Sequence, residues 1–172
     1  LVTCEHSVTR RIVRTEHDGS QTVLADRFEG KRLNAPNDIV ATLDGSLWFT
    51  DPLFGISGEW EGSKAPVELE GTYVFRLGPD GQLTAPIRDL GNPNGLGFSP
   101  DEKQLYVVEC RGTPHRSIWR YDVAPDGTLS KKTKFVEASD QGSPDGFAVD
   151  RDGNLWCGWG SNGVLEDKPT EI

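Results

Sequence analysis

Short apolar runs alternate with polar turns along the whole chain, and some of the turns recur at regular spacing. Three apolar runs begin with Pro-(Asn/Asp)-(Asp/Gly), at Pro36, Pro93 and Pro144. These starting points lie 57 and 51 residues apart, which is the spacing of a structural repeat rather than of unrelated turns. The hydrophobic pattern therefore predicts a protein built from repeated units of similar length.

Asp-Gly pairs mark the tight turns inside these units. Glycine tolerates the positive φ that tight hairpin turns require, so Asp-Gly between apolar runs is a strong hairpin signal. The pairs at these turns are Asp18-Gly19, Asp44-Gly45, Asp80-Gly81, Asp126-Gly127 and Asp152-Gly153, and a further pair, Asp145-Gly146, belongs to the Pro-Asp-Gly start at Pro144. Each complete unit is predicted to contain two hairpins joined by a longer loop. Four strands in about fifty residues is the size of one β-propeller blade or a comparable sheet repeat.

The repeat divides the chain into four predicted segments, and the predicted fold class is all-β. Residues 1–33 are expected to form part of one blade, residues 34–91 and 92–143 one blade each, and residues 144–172 part of another. Closed propellers use about four to eight blades, whereas these segments amount to roughly three. The chain also lacks methionine and opens inside a strand-like run. We therefore expect a single, incomplete propeller domain cut out of a longer protein.

Charge and composition argue against two classes of partner. Aspartate and glutamate number 27 against 18 lysines and arginines, which gives a formal net charge of −9. A nucleic-acid-binding protein would show a concentrated basic patch, and the local cluster Lys131–Lys134 is better explained as a strand edge protected by lysines. No apolar run approaches the length needed to span a membrane. We predict a soluble protein without nucleic-acid or membrane partners, and its oligomeric state stays open.

The three cysteines, Cys4, Cys110 and Cys157, carry no recognisable site. Their number is odd and their spacing fits neither a metal motif nor a disulfide framework. They are expected to be packed thiols, which weakly favours a reducing, cytoplasmic compartment.

An oxygen-bearing side chain occupies the same point of every repeat: Asn37, Asn94 or Asp145. A single Pro-Asn or Pro-Asp pair is explained by turn formation, because these side chains bond to their own backbone. Three copies in register favour a shared metal ion near a central axis. Two amides and one carboxylate form an all-oxygen ligand set, which suits Ca²⁺ or Mg²⁺ better than Zn²⁺.

Three longer segments resemble the gluconolactonase/senescence-marker-protein family. They are LNAPNDIVATLDGSLWFTDPLFGI (Leu33–Ile56), NPNGLGFSPDEKQLYVVE (Asn92–Glu109) and SPDGFAVDRDGNLWCGWG (Ser143–Gly160). The opening segment Leu1–Asp38 is similar to the bacterial gluconolactonase branch in particular. The resemblance implies a six-bladed β-propeller that holds one divalent cation, usually Ca²⁺, and hydrolyses the ester of a sugar lactone.

Carried over residue by residue, the resemblance assigns Asn37, Asn94 and Asp145 as metal ligands. The family's remaining ligand is a glutamate in an earlier blade, and it has no counterpart in this chain. Asp145 is the one carboxylate among the three equivalent positions, so it is also the candidate catalytic base that accepts a proton from water. The alternative is that Asp145 only binds the cation, and that another residue or the metal-bound water handles the proton.

Substrate contacts are predicted at Asn37, Asp51 and His115. Asp51 ends a predicted strand, where hydrogen bonds across strands or to a loop are the alternative use of its carboxylate. His115 lies in the loop that follows the strand ending at Glu109. The irregular segment Asp51–Gly71 is the longest in the chain, and long loops on a rigid scaffold often cover a binding site.

The predicted function is metal-dependent hydrolysis of a sugar lactone of the glucono-1,5-lactone type. The cation would polarise the lactone carbonyl and an activated water would attack it. Two alternatives stay open. One is a non-catalytic propeller that binds a metabolite or a protein partner, because a fold by itself never establishes chemistry. The other is a lactonase or esterase of different specificity.

Overall fold

The computed structural model describes residues 1–111, 116–138 and 142–160. These residues form antiparallel β-sheets and one short helix, which confirms the predicted all-β class. The chain divides into two compact units, Leu1–Pro93 and Asn94–Ile172. None of the helical structure in the described residues is long and apolar enough to cross a membrane.

The first unit contains three sheets. The three-stranded sheet is antiparallel and follows the order β1 (Val2–Glu5), β2 (Arg11–Thr15), β3 (Gln21–Ala25). A small antiparallel pair follows, made of β4 (Arg27–Phe28) and β5 (Lys31–Arg32). The four-stranded antiparallel sheet has the order β6 (Ile39–Ala41), β7 (Leu47–Asp51), β8 (Tyr73–Leu77), β9 (Leu83–Ile87). The short helix α1 (Phe54–Ser57) lies in the connection between β7 and β8.

The second unit contains the remaining strands. Its four-stranded sheet has the order β10 (Pro93–Phe98), β11 (Gln104–Glu109), β12 (Ser117–Val123), β13 (Leu129–Glu137). An antiparallel pair follows, made of β14 (Ser143–Val149) and β15 (Leu155–Gly160). The meander of sequence-adjacent strands is the order that the two-hairpin pattern predicts. The assignment of residues 34–91 and 92–143 to one blade each stays a prediction.

Aromatic side chains fill the core of the first unit. The ring of Phe75 on β8 contacts those of Phe28, Phe49 and Tyr73 at centroid distances of 5.1, 5.2 and 5.8 Å. Such offset and edge-to-face contacts add to the large apolar area that each ring buries. Ile12 and Leu33 pack into the same cluster. Because Leu33 lies directly before the Asn-Ala-Pro-Asn segment, this core also fixes where that segment begins.

The Asp-Gly turns have the predicted backbone geometry. All five glycines have positive φ: Gly19 85°, Gly45 83°, Gly81 81°, Gly127 83° and Gly153 86°. In each turn the glycine N–H donates to the carbonyl three residues earlier. In four turns the aspartate Oδ1 accepts the N–H two residues later, at Ser20, Ser46, Gln82 and Thr128. The hairpin between β10 and β11 has no glycine, and Glu102 adopts φ 55° there.

Candidate metal and catalytic site

Asn94 and Asp145 lie side by side in the second unit. Asn94 is near the start of β10 and Asp145 near the start of β14. The Asn94 Nδ2 group donates a hydrogen bond to Asp145 Oδ1 at 2.6 Å. Two residues 51 positions apart in sequence, picked out as equivalent members of the repeat, are therefore direct neighbours.

Two glycines allow β10 to approach β14 this closely. A Cβ atom on Gly95 would lie 2.5 Å from the Asp145 carbonyl oxygen and 3.0 Å from Phe147 Cδ1. A Cβ atom on Gly97 would lie 3.0 Å from Phe147 Cε2. The 2.5 Å distance at Gly95 is too short for a real Cβ atom, and the 3.0 Å distance at Gly97 would require a small shift of Phe147, so Gly95 in particular allows the approach that brings Asn94 to Asp145.

A bulge in β14 sets the position of Asp145. The pairing of β14 with β15 runs from Pro144–Trp159 to Phe147–Cys157, so that Asp145 and Gly146 both lie opposite Gly158. An extra residue of this kind bends the strand and redirects a side chain. The Asp145 residue is exposed to solvent.

Cys110 is a third member of this group that the sequence did not reveal as a site residue. Asn94 Nδ2 also lies 3.5 Å from the Cys110 Sγ atom, and Sγ in turn contacts the Pro144 carbonyl at 3.9 Å. Burial raises the pKa of the Cys110 thiol, so it stays protonated at neutral pH. The available signal was topological: Cys110 follows β11, which pairs with β10, and an antiparallel hairpin brings the end of β11 near the start of β10.

The donor chemistry of the pair fits a hard divalent cation. Carboxylate and amide oxygens are the ligands that Ca²⁺ and Mg²⁺ prefer. The Asn94 NH₂ group faces Asp145, and a half-turn of the amide would present its oxygen instead. In the part of the chain that the structure describes, no group of three or more His, Cys, Asp or Glu residues could hold a metal ion. A cation bound here would therefore depend on amide oxygens as well as on Asp145.

Asn37 belongs to the first unit and precedes β6. Its side chain is half-buried, and its backbone N–H donates to the Thr50 carbonyl at 2.9 Å. The Thr50 N–H donates in return to the Asp38 carbonyl at 3.0 Å. These two bonds dock the start of β6 on the end of β7. The role of Asn37 as a metal ligand or substrate contact stays a prediction.

Asp51 is fully buried, with both carboxylate oxygens directed at backbone amides. Oδ2 accepts from Asn34 N and Oδ1 from Ala35 N, each at 2.8 Å. Burial raises the pKa of Asp51 to about 7, although the two amide donors and the Arg10 charge act in the opposite direction. The geometry favours the alternative use of this carboxylate, a loop hydrogen bond. A substrate contact at Asp51 stays a prediction, and His115 lies outside the described residues.

The segment Asp51–Gly71 is tied to the turn between β1 and β2. Ser63 N donates to Ser7 Oγ at 2.8 Å, and Arg10 Nη1 donates to the Pro66 carbonyl at 3.3 Å. At the end of the segment, Asn34 Nδ2 donates to the Gly71 carbonyl at 3.0 Å. Trp60 is 95% exposed within it. The segment is thus anchored at several points and presents one large aromatic side chain to solvent.

Repeated antiparallel sheets of sequence-adjacent strands are the architecture of β-propeller proteins. Residues 1–171 match the family described as SMP-30/Gluconolactonase/LRE-like region, and the chain belongs to this family. The predicted resemblance is therefore confirmed.

Relatives and solved structures agree with this assignment. The chain is 36% identical over 160 residues to a gluconolactonase from Zymomonas mobilis, which covers 88% of this chain and 44% of the relative. It is 30% identical over 159 residues to the pentonolactonase XacC from Haloferax volcanii, covering 90% of this chain and 54% of the relative. A solved gluconolactonase from Xanthomonas campestris is 45% identical to this chain with a TM-score of 0.80. The match covers 91% of this chain and 51% of the solved chain.

The chain spans about half the length of these relatives. The match to solved family members also confirms the predicted fold class, a six-bladed β-propeller family of which this chain represents a part.

Proposed function

We propose that the protein carrying this chain hydrolyses sugar lactones, and that Asn94 and Asp145 belong to its reaction site. The observation that carries the proposal is the 2.6 Å contact between these two repeat-equivalent side chains. Their pairing occurs in a chain that is 36% and 45% identical to proteins named as gluconolactonases. A lactone is a cyclic ester, so its hydrolysis needs a water nucleophile, a proton acceptor and stabilisation of the oxyanion.

We further propose a divalent cation, Ca²⁺ first and Mg²⁺ or Zn²⁺ as alternatives, with Asn37, Asn94 and Asp145 as ligands. Support comes from the equivalent repeat positions and from the oxygen donors. When bound, such a cation supplies Lewis-acid polarisation of the lactone carbonyl.

The chain's own residues contribute binding and proton transfer. The exposed Asp145 carboxylate is an acceptor for the proton that leaves the attacking water, because its solvent-facing position gives water access. With the Asn94 amide in its present orientation, its Nδ2 hydrogen bond restrains the rotation of that carboxylate, whereas ligation through the Asn94 oxygen would replace this bond. Cys110 Sγ contacts both Asn94 Nδ2 and the Pro144 carbonyl. The remaining alternative gives Asp145 a ligand role alone.

The test is a pH-stat assay of the full-length protein with glucono-1,5-lactone, and with pentonolactones as comparison substrates. We expect acid release that disappears with a chelator and returns when Ca²⁺ is added. Turnover that ignores the chelator would exclude the cation, and the absence of turnover with every lactone by a folded protein would exclude the activity.

Two substitutions separate the roles of Asp145. Asp145→Ala should lower kcat by about 10²- to 10⁴-fold, the usual contribution of a general base. Asp145→Asn keeps one ligand oxygen, so retained Ca²⁺ affinity with lost kcat supports the base role, whereas loss of both supports the ligand role alone. Asp44→Ala, in an exposed hairpin turn, is the matched control and should leave turnover unchanged.

A further inference from the structure

Two buried, oppositely charged side chains hold consecutive peptide groups just before Asn37. Arg10 is 1% exposed and Asp51 0% exposed. Arg10 Nε donates to the Leu33 carbonyl at 2.7 Å, and Asp51 accepts from the N–H groups of Asn34 and Ala35. The Leu33–Ala35 backbone is therefore fixed from both sides by charge-assisted hydrogen bonds, which are roughly twice as strong as neutral ones.

The restraint continues from this segment to Asn37. Pro36 has a fixed φ and no N–H group to satisfy. Asn37 N then donates to the carbonyl of Thr50, the residue that precedes Asp51 on β7. The backbone conformation between Asn34 and Asn37 is therefore restrained at both ends by β7. Asp51 binds the amides of Asn34 and Ala35, and the Thr50 carbonyl binds the amide of Asn37.

The equivalent positions of the repeat that begins at Pro93 have partners of other kinds. Glu109, which ends β11 as Asp51 ends β7, accepts from Trp119 Nε1 at 2.7 Å. Asn92, at the repeat position of Ala35, donates its N–H to Thr72 Oγ1 at 3.0 Å. Glu109 thus has an indole partner, whereas the Asp51 carboxylate holds two backbone amides.

Placing these charges here carries an energetic cost. Burying an ion removes its hydration, and relaxation of the surroundings recovers only part of that loss. Arg10 also adopts φ 56°, a strained backbone conformation for a residue with a side chain. The charged groups therefore have to be offset by the backbone hydrogen bonds that they make to Leu33, Asn34 and Ala35.

We propose that Arg10 and Asp51 are positioning residues that hold Asn37 in place for the cation of the proposed lactonase site. The inference rests on the proposed function, because it requires Asn37 to be a ligand. Arg10 also links this segment to the Asp51–Gly71 loop through the Pro66 carbonyl.

The test uses Asp51→Asn and Arg10→Lys in the full-length protein. Asparagine keeps one acceptor oxygen, and lysine keeps the charge without the forked donor geometry. We expect each folded variant to bind Ca²⁺ about 10- to 100-fold more weakly by calorimetry, the usual loss when a residue that supports a ligand is removed. Hydrogen exchange at Asn34 and Ala35 should accelerate in Asp51→Asn. Glu109→Gln is the matched control, with affinity within twofold of wild type.

A double-mutant cycle with Asn37→Ala separates positioning from a general loss of structure. If Asp51 acts through Asn37, adding Asp51→Asn to Asn37→Ala should cause little further loss of Ca²⁺ affinity. Additive losses would overturn the proposal, as would wild-type affinity in both folded single variants. If Asp51→Asn does not fold, the Ca²⁺ affinity of Arg10→Lys tests the proposal. If neither variant folds, the pair is required for folding and the proposal is wrong. Wild-type protein that binds no cation refutes the proposed metal site itself, which is a different result.

Discussion

At the scale of single residues, burial changes the acid–base chemistry of Asp51 and Cys4. Burial raises the pKa of Asp51 to about 7 and that of the Cys4 thiol to about 12, and the charges of Asp38 and Asp51 contribute to the second shift. Asp51 therefore titrates near neutrality in the folded protein, whereas in the unfolded chain it does so near its ordinary pKa of 3.8. Burial thus makes ionisation of both groups less favourable in the folded protein than in the unfolded chain.

This difference predicts a pH-dependent stability. Between about pH 4 and pH 7 the folded state holds the Asp51 proton more tightly than the unfolded state, so this residue's contribution to the free energy of unfolding falls as pH rises through that window. The slope is at most about 1.4 kcal/mol per pH unit. Urea unfolding of wild type and Asp51→Asn at pH 4.5 and 7.5 measures it. If the free energies of unfolding of wild type and Asp51→Asn differ by the same amount at both pH values, the prediction is contradicted.

At the scale of secondary-structure elements, the contact of β10 with β14 builds the candidate site. Gly95 lies against the Asp145 carbonyl, so the strand spacing and the Asn94–Asp145 hydrogen bond depend on the same residue. The bulge in β14 then sets the direction of the carboxylate. Strand packing and site geometry are coupled here.

Gly95→Ala should therefore damage stability and site together. The added methyl group would meet the Asp145 carbonyl at 2.5 Å, and overpacking of this kind costs about 1–3 kcal/mol. We expect a lower unfolding midpoint in urea and weaker Ca²⁺ binding. Gly146→Ala is the control, since a Cβ there meets no atom within 4 Å. Equal effects of the two substitutions would show that the close approach is unimportant.

Features determined by local chemistry could be predicted from the sequence. The Asp-Gly turns depend on glycine at positive φ, and the Asn94–Asp145 pair follows from a repeat that puts equivalent residues at equivalent strand starts. Glu102 was not predictable as a left-handed turn residue, because nothing in its side chain favours that conformation.

Features that depend on residues distant in sequence could not be predicted from the sequence. The buried position of Asp51 depends on backbone amides sixteen and seventeen residues earlier, and backbone groups carry no sequence signature. The contact of Cys110 with Asn94 likewise depends on the pairing of the hairpin and on side-chain packing. The number and spacing of the cysteines indicate neither.

At the scale of the whole molecule, acidic charge dominates. The net charge is −9 and the sequence pI is about 4.8. Net charge keeps protein molecules apart in solution, and association increases where it vanishes. We therefore expect a polypeptide of this sequence to have its lowest solubility near pH 4.8, measured as the protein left in solution after centrifugation across pH 4–8. A solubility minimum above pH 6 would contradict the charge argument.

The five Asp-Gly hairpin turns have a consequence for the chemical ageing of the protein. In a flexible chain an aspartate before glycine isomerises when the glycine nitrogen attacks the carboxyl carbon and closes a five-membered ring. In each of these turns that nitrogen is already engaged, because its N–H donates to a carbonyl three residues earlier at 2.8–3.1 Å. The turns that determine the hairpins thus also slow the isomerisation of their own aspartates, and damage should accumulate first in molecules that have unfolded.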